Sequence, residues 1–363
     1  MKPTACLAVA TVLGLSPPSS GQCPVPGDAA NYVYDDGTSD GAFGFWWDGD
    51  FCGLHVFNAL SGMDAITRID VAYGSAIWPG TAPPAGTPAT LCLWEDPNDS
   101  RDPLDAQLLL TSAVVVLNPN TDILNAYPIS PTIVQGSFFA GYYLTQEAAE
   151  YPGALDSSVS SNGRAWLTGS NVPGGFDPTD LSNNSLPPTD LDDINPGVFL
   201  LRALGQAVVG LPFCFGDGTG SPCPCGNETA AGAGAGCANS TGEGAVALGL
   251  GSNQVSQDDL QIAGRNLPAG QPALLFAADQ AVGGGDGAAF GDGLRCAGVN
   301  AVRLGVRPAC PQGFEIWGPG LGQVGGWAPG DVRRFQVWYR DPAGGPCGSG
   351  FNLSNGLEVN FGP

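Results

Sequence analysis

The sequence predicts an all-β protein with two antiparallel β-sandwich domains, the first jelly-roll-like and the second immunoglobulin-like, stapled by disulfides. Three observations support this class. Charged residues make up only 13% of the 363-residue chain, whereas glycine (56) and proline (32) are abundant, which is typical of short strands joined by turns. Apolar residues form many short runs, and no segment has a sustained helical period. Finally, the chain contains 11 cysteines.

Residues 1–22 have the pattern of a secretory signal peptide. Lys2 precedes a short apolar run, and small residues follow it. We expect cleavage near Gly21 or Gln22, with lipidation of Cys23 as the alternative. The mature protein is therefore predicted to be secreted or held at the cell surface. No later apolar run is long enough to cross a bilayer, so no membrane span is predicted.

Residues 23–205 are predicted to form the jelly-roll-like sandwich. Their apolar runs are short and separated by turn residues, and the clearest of them alternates as a half-buried strand does. The runs predicted to be strands are Ala65–Tyr73, Ala89–Trp94, Gln107–Leu117, Ser137–Leu144 and Val198–Arg202. The segment Gly169–Gly197 is rich in Asp, Asn and Pro and is predicted to lack regular structure.

A shift in composition marks the domain boundary. Residues 206–243 are rich in cysteine and glycine and are predicted to form a strap between the sandwiches. The short apolar runs within residues 244–363 are typical of an immunoglobulin-like sandwich. These runs are Ala245–Gly251, Asp259–Gly264, Pro272–Ala278, Asn300–Val306, Arg333–Arg340 and Gly356–Phe361.

The cysteines are predicted to form disulfides rather than a metal or redox centre. Removal of Cys6 with the signal peptide leaves an even number, and oxidising compartments favour disulfides. The Cys223-Pro-Cys225 spacing is too tight for a zinc chelate and lacks the two intervening residues of a redox motif. The cysteines assigned to disulfides are Cys52, Cys92, Cys214, Cys223, Cys225, Cys237, Cys296 and Cys347.

Position along the chain suggests how these cysteines pair. The expected pairs are Cys52–Cys92, Cys296–Cys347 and two local bridges formed among Cys214, Cys223, Cys225 and Cys237. Cys23 and Cys310 are left over, and a bond between them stays open.

Charge and residue usage exclude several classes of function. The mature chain has 11 arginines against 34 acidic residues and no lysine, so nucleic acid and anionic lipid are not expected partners. Schiff-base and Ser-Lys chemistry are excluded without lysine, and a multi-histidine metal centre is excluded because His55 is the one histidine. His55 lies in an apolar run and is predicted to be structural. A glycosidase that uses a carboxylate pair stays open, because two acids suffice for it.

An acidic turn is the predicted metal site. Side chains with oxygen atoms alternate between Glu95 and Asp105, and Ca²⁺ binds oxygen ligands from loops of this kind. The assigned ligands are Asp96, Asn98, Asp102 and Asp105, so Ca²⁺ is the candidate cofactor. The alternative is a solvated turn whose carboxylates cap backbone N–H groups.

The run Arg333–Arg340 has the clearest strand alternation and supplies the predicted ligand-binding residues. One face is apolar and consists of Phe335, Val337 and Tyr339, and the other carries Arg334, Trp338 and Arg340. An exposed tryptophan between two guanidinium groups can stack on a sugar ring while the arginines pair with a uronate or sulfate group. The alternative is a cation–π ladder that only stiffens the strand.

A resemblance to a bacterial family supports export and the order of the two domains. The motifs Cys214–Asn227, Phe290–Gly298 and Phe335–Asn355 resemble a module that recurs at the C-terminus of secreted proteins of planctomycete-type bacteria. The motifs Tyr34–Thr38 and Trp94–Asp99 are similar to a domain often found in front of it. The resemblance implies export and architecture, and it brings no catalytic residue with it.

These observations favour a non-catalytic binding or adhesion protein of the bacterial surface or extracellular space, with a glycan as the expected ligand. One alternative is a structural component of the cell envelope or of a surface fibre. The other is a polysaccharide-active enzyme with a carboxylate pair. An exposed aromatic platform favours the binding protein, whereas a groove with two carboxyl groups at glycosidase separation favours the enzyme.

Overall fold

The structure is a computed structural model that describes residues 23–25, 28, 30–342 and 345–363. The chain in these ranges folds into antiparallel β-sheets and contains one short α-helix, which confirms the prediction of an all-β, disulfide-stapled protein built from sandwiches. The predicted signal peptide, residues 1–22, lies outside the described residues.

Twelve strands build the N-terminal sandwich and include every strand predicted for it. They are β1 (Gly41–Phe43), β2 (Gly49–Asn58), β3 (Ala65–Val71), β4 (Pro88–Glu95), β5 (Gln107–Val115), β6 (Asn125–Ile133), β7 (Ser137–Gln146), β8 (Gly153–Asp156), β9 (Ala165–Ser170), β10 (Leu186–Asp190), β11 (Val198–Phe199) and β12 (Leu201–Gln206). One layer has the order β10-β9-β2-β7-β4-β5, and the other contains the sheets β1-β8-β11 and β12-β3-β6. Side chains of both layers, including Phe51, Phe138 and Phe199, form the core.

The segment Gly169–Gly197 covers the outer face of the six-stranded sheet. Phe176 and Leu181 of this segment are buried in one cluster with Trp94, whose indole N–H donates a 2.8 Å hydrogen bond to the Pro178 carbonyl. The segment also contains β10, which pairs with β9, so the prediction that it lacks regular structure is wrong there. Its prolines are compatible with β10 because β10 is an edge strand, where a missing N–H breaks no ladder.

Fourteen strands and one helix build the C-terminal sandwich. They are β13 (Val208–Val209), β14 (Leu211–Phe213), β15 (Val246–Leu250), β16 (Gln261–Arg265), β17 (Pro272–Ala278), β18 (Gln280–Ala281), β19 (Ala288–Phe290), β20 (Gly293–Arg295), β21 (Ala297–Gly298), β22 (Val302–Pro308), β23 (Glu315–Trp317), α1 (Leu321–Gly325), β24 (Val332–Arg340), β25 (Phe351–Leu353) and β26 (Gly356–Asn360). Among the described helices, none has the length and apolar character needed to cross a membrane.

Two sheets form the layers of this sandwich. Their orders are β13-β15-β16-β23 and β14-β26-β24-β17-β22, and β25 pairs with β24 outside that order. Phe335, Val337 and Tyr339 of β24 are fully buried in the core, as the alternation predicted. Strands β13 and β14 fall inside the predicted strap, residues 206–243, yet they pair with β15 and β26. The second set of sheets therefore begins before the cysteine cluster.

Four disulfides join cysteines of the described residues: Cys23–Cys310, Cys214–Cys296, Cys223–Cys237 and Cys225–Cys347. Of the local bridges expected in the strap, only Cys223–Cys237 is present. Cys214 and Cys225 bond to Cys296 and Cys347, so the predicted Cys296–Cys347 pair is wrong. The segment that contains β20 and β21 packs against the strap, and Cys296 is buried there with Cys214 and Leu294. Spacing along the chain could not predict this contact. Several disulfides indicate an extracellular or otherwise oxidising environment.

The predicted Cys52–Cys92 bridge is wrong, and both thiols are free and buried. Cys52 lies on β2 and Cys92 on β4, and β7 runs between these two strands. Two strand spacings separate the cysteines by roughly 10 Å, beyond the ~7 Å that a disulfide spans between Cα atoms. Both side chains instead pack beneath the covering segment as small apolar groups.

The bond that the sequence left open, Cys23–Cys310, joins residues 287 positions apart. The Cys23 sulfur is bonded in this bridge, so it is not free for the lipidation that was considered as the alternative to simple signal-peptide cleavage. The bridge lies where the two sandwiches meet: Cys23 packs on a cluster that contains Ala65 of β3 and Leu248 and Phe314 of the second sandwich.

Candidate ligand-binding groove

A groove of about 540 Å³ lies on the outer face of the sheet that contains β24. Trp338 of β24 is opposite Leu274 of β17, which is opposite Val306 of β22. Phe276, two residues further along β17, is opposite Arg303 of β22. Because alternate residues of a strand share a face, these side chains form one surface across three neighbouring strands. The rest of the lining consists of Phe290, Arg295, Ala301 and Leu353.

Aromatic rings form one side of the groove. Trp338 is half-buried, and its ring centroid lies 5.6 Å from that of Phe351. The Phe351 ring in turn lies 5.2 Å from that of Phe290, which is 44% exposed. The row offers flat ring faces to a ligand, and burial of such faces supplies much of the binding energy in protein sites.

Three arginines surround these rings. Arg295 and Arg303 line the groove, and the Arg340 guanidinium lies 5.8 Å from the centroid of the Trp338 ring. All three side chains are exposed, and none forms an ion pair within the part of the chain that the structure describes. Their positive charge is therefore available to a ligand.

The structure separates Arg334 from the other two predicted ligand-binding residues. Arg334 shares their face of β24, but its guanidinium pairs with Glu358 at 2.7 Å and donates to the Asp279 carbonyl. Trp338 and Arg340 remain at the groove. Arg295 and Arg303 were missed because alternation within one strand cannot show which neighbouring strands and turns complete its surface.

Gln336 lies on the same face of β24 as Trp338, but it does not belong to the groove surface. Its side chain is fully buried: the amide oxygen accepts the N–H groups of Cys296 (2.9 Å) and Ala297 (3.3 Å). The amide nitrogen donates to the carbonyls of Leu294 and Ser354, both at 2.8 Å. The segment that holds the Cys214–Cys296 bridge is thus fixed over the middle of the sheet, and the groove lies on the Trp338 side of it.

Replacing Gln336 with alanine is expected to lower the free energy of unfolding by about 2–3 kcal/mol, because four buried backbone groups lose their partner. Urea unfolding followed by fluorescence measures the change. Gln323→Ala is the control, since Gln323 is exposed on α1, and it should change stability by less than about 0.5 kcal/mol. Equal effects of the two substitutions would contradict the bridging role of Gln336.

The acidic turn of the first sandwich does not gather its predicted ligands, Asp96, Asn98, Asp102 and Asp105, around one point. The buried Asp96 carboxylate accepts the Arg101 N–H (2.8 Å) and the Ser137 hydroxyl (2.6 Å). Asp102 caps the Leu104 N–H at 3.0 Å, and Asn98 donates to Asp105. Within the described ranges, no three acidic, cysteine or histidine side chains are grouped to hold a metal. The carboxylates of this turn cap its own backbone, and the assignment of Ca²⁺ to it stays a prediction.

His55 is a core residue. It is fully buried on β2, and its Nε2 atom accepts a 3.0 Å hydrogen bond from the Phe199 N–H of the opposite layer. Its ring stacks on the Phe199 ring at 6.1 Å between centroids. Burial lowers the pKa of His55 to about 3, so the ring is neutral and serves as a hydrogen-bond acceptor. This position is incompatible with general-base chemistry on an external substrate.

Comparison with known proteins adds no family to this description. No protein-family model matches the chain, and no curated protein matches its sequence.

Proposed function

We propose that this protein is an exported, non-catalytic binding protein that holds an acidic polysaccharide in the groove of its second sandwich. One observation carries the proposal: an aromatic surface is surrounded by Arg295, Arg303 and Arg340, none of which has a carboxylate partner among the described residues. In a chain with a formal net charge of −22, unpaired guanidinium groups gathered on one face favour an anion there.

The groove matches the two chemical features of an acidic polysaccharide. A guanidinium group binds a carboxylate or sulfate through two parallel hydrogen bonds, so Arg295 and Arg303 suit uronate or sulfate substituents. The half-buried Trp338 ring and the Phe290 ring, which is 44% exposed, suit the apolar faces of sugar rings. A groove that offered charge alone would not bind those faces.

The distribution of charge favours the second sandwich as the binding surface. Residues 23–213 carry 22 acidic residues against four arginines, whereas residues 214–363 carry 12 acidic residues against seven arginines. An anionic chain is repelled more strongly by the first part than by the second. The four disulfides are consistent with a place outside the cell, where acidic polysaccharides occur.

Substitutions in the groove should weaken polysaccharide binding while the fold is kept. Calorimetry with a polyuronate and with a sulfated polysaccharide measures the affinity, and a neutral dextran is the comparison ligand. Trp338→Ala and Arg303→Gln are each expected to weaken acidic-polysaccharide binding at least about tenfold, which corresponds to ~1.4 kcal/mol. Binding should also weaken as salt is raised, because the groove's charges are exposed.

The matched control is Trp46→Ala in the first sandwich. Trp46 is 76% exposed and lies outside the groove, so its removal should leave the affinity unchanged. Equal binding of the dextran, or wild-type affinity in both groove variants, would refute the proposal. If Trp338→Ala lowers stability and no polysaccharide binds the wild-type protein, the contact between Arg340 and Trp338 is structural only.

A further inference from the structure

The first sandwich has a groove of its own, with a volume of about 470 Å³. Every residue that lines it is aromatic, aliphatic or glycine, and the larger side chains are Phe43, Phe45, Trp46, Trp47, Tyr151 and Ile194. The Trp46 ring is edge-on to the Tyr151 ring at 5.7 Å between centroids, and the Trp47 ring stacks on the Phe45 ring at 5.2 Å. Both tryptophans are exposed. Exposed apolar surface gathered in this way is typical of a binding site, and we call it the tryptophan groove.

The buried side chain of Gln146 fixes the backbone that carries these rings. Its amide oxygen accepts the Phe45 N–H at 3.1 Å, and its amide nitrogen donates to the carbonyls of Phe45 (2.9 Å) and Glu150 (3.2 Å). Asp48 holds the same turn, because its carboxylate accepts the Ala148 N–H at 2.7 Å. The rings are therefore positioned before a ligand arrives, which lowers the entropic cost of binding.

The charge around the tryptophan groove is negative. Asp48, Glu150 and Asp193 each adjoin a lining residue in the chain, and none of them pairs with an arginine of the described residues. None of the described arginines lines the groove. A cleft surrounded by charge of one sign concentrates ions of the opposite sign. The expected ligand is therefore a cation, in contrast to the anion expected in the second sandwich.

The chemistry of the lining selects among cations. A metal ion or a primary ammonium group needs oxygen acceptors to replace the water that it loses on binding. Among the lining side chains only the Tyr151 hydroxyl can accept, since the indole N–H groups of Trp46 and Trp47 are donors. A methylated ammonium group has no N–H groups that require acceptors, and it binds favourably against the faces of aromatic rings.

We propose that the tryptophan groove binds a methylated ammonium group, such as the trimethylammonium group of choline. The exposed rings of Trp46 and Trp47 supply the cation–π contacts, and the neighbouring carboxylates attract the charge from a longer distance. This inference does not rest on the proposed polysaccharide function, because the site is in the other sandwich and its ligand has the opposite charge.

Calorimetry with choline tests the charge requirement in the mature protein. The matched ligand is the uncharged carbon analogue of choline, in which a tert-butyl group replaces the trimethylammonium group. Choline is expected to bind saturably and at least about tenfold more tightly than the analogue. Its affinity should also fall as salt is raised, because the carboxylates are near the surface. No binding of choline, or equal affinities for the two ligands, would overturn the proposal.

Substitutions test whether the cation binds in this groove. Trp46→Ala removes the most exposed ring of the lining and is expected to weaken choline binding at least about tenfold. Trp78→Ala is the matched control, since Trp78 is an exposed tryptophan of the same sandwich that does not line the groove. Thermal melting checks that each variant is folded. Wild-type affinity in Trp46→Ala, or an equal loss in Trp78→Ala, would show that the assignment is wrong.

Asp48→Asn tests the charge without removing a ring. The asparagine oxygen can still accept the Ala148 N–H, so the turn should be kept. Choline binding should weaken at low salt, whereas binding of the uncharged analogue should not change. An equal change for both ligands would contradict the electrostatic contribution.

Vesicles of phosphatidylcholine distinguish a lipid headgroup from a soluble cation as the source of the group. Co-sedimentation of the wild type, but not of Trp46→Ala, would assign the group to a lipid. Choline binding without co-sedimentation would assign it to a soluble cation. Arg303→Gln, in the groove of the second sandwich, should bind choline as the wild type does, so this proposal and the polysaccharide proposal are tested separately.

Discussion

Replacing Cys214 and Cys296 together with alanine is expected to lower the free energy of unfolding of the second sandwich by about 4–5 kcal/mol. The bridge closes a loop of 82 residues, and release of a loop of this length gives the unfolded chain roughly that amount of entropic stabilisation. Both half-cystines are buried beside Leu294, so the substitution also removes packed sulfur atoms from the cluster. Urea unfolding without reductant measures the loss.

The free thiols provide the control for this prediction. Cys52→Ala removes a buried sulfur without breaking a bridge, so it should cost about 1–2 kcal/mol and affect the first sandwich. Alkylation of the mature protein, unfolded without reductant, should label Cys52 and Cys92. A bond between these two cysteines would contradict the assigned bridges. So would a double variant, Cys214→Ala/Cys296→Ala, whose free energy of unfolding falls no further than that of Cys52→Ala.

The second large effect concerns acid stability and depends on His55. Its pKa is about 3 in the folded protein, against 6.5 for an unperturbed histidine, because burial disfavours the imidazolium ion. Between these pH values the unfolded chain binds a proton that the folded chain does not, so stability falls as the pH falls. The loss is absent above pH ~7, grows by about 1.4 kcal/mol per pH unit below 6.5, and approaches 4–5 kcal/mol near pH 3.

Unfolding of the wild type and of His55→Gln at several pH values isolates this contribution. Glutamine keeps an oxygen that can accept the Phe199 N–H, but it does not titrate. The carboxylates are common to both proteins, so the difference between the two pH profiles reports His55. We expect the wild type to lose about 2–3 kcal/mol more than His55→Gln between pH 7.5 and pH 4.5. Parallel profiles would contradict this prediction, because they would show that the imidazole can be protonated in the folded state.

Much of the fold follows from local sequence because short apolar runs between turn residues mark the strands. The burial of Phe335, Val337 and Tyr339 follows from the pattern of β24 alone. Pairing partners are harder to predict, because a strand pattern does not specify which strand lies beside it. The failure of the Cys52–Cys92 bridge has this cause: both cysteines are on strands, as predicted, but β7 separates those strands.

Only part of the candidate groove could be predicted, because strand neighbours were again unknown. Trp338 and Arg340 could be predicted from one strand, whereas Arg303 and Arg295 come from β22 and β20 and become neighbours only through the sheet order and the turn above it. The acidic turn is a separate case. Alternating oxygen atoms suit a cation and suit backbone capping equally well, and the choice depends on where the N–H groups of the turn point.

The Cys23–Cys310 bridge also determines how the chain transmits a pulling force. Cys23 lies at the predicted start of the mature chain, so tension applied between that end and the segment after Cys310 passes through the sulfur–sulfur bond and bypasses the first sandwich together with β13–β22. The bypassed 287-residue separation corresponds to roughly 1,000 Å of fully extended chain. The oxidised protein is therefore a short, inextensible link along this path, and a reductant converts the same path into a long extensible one without any change in the load.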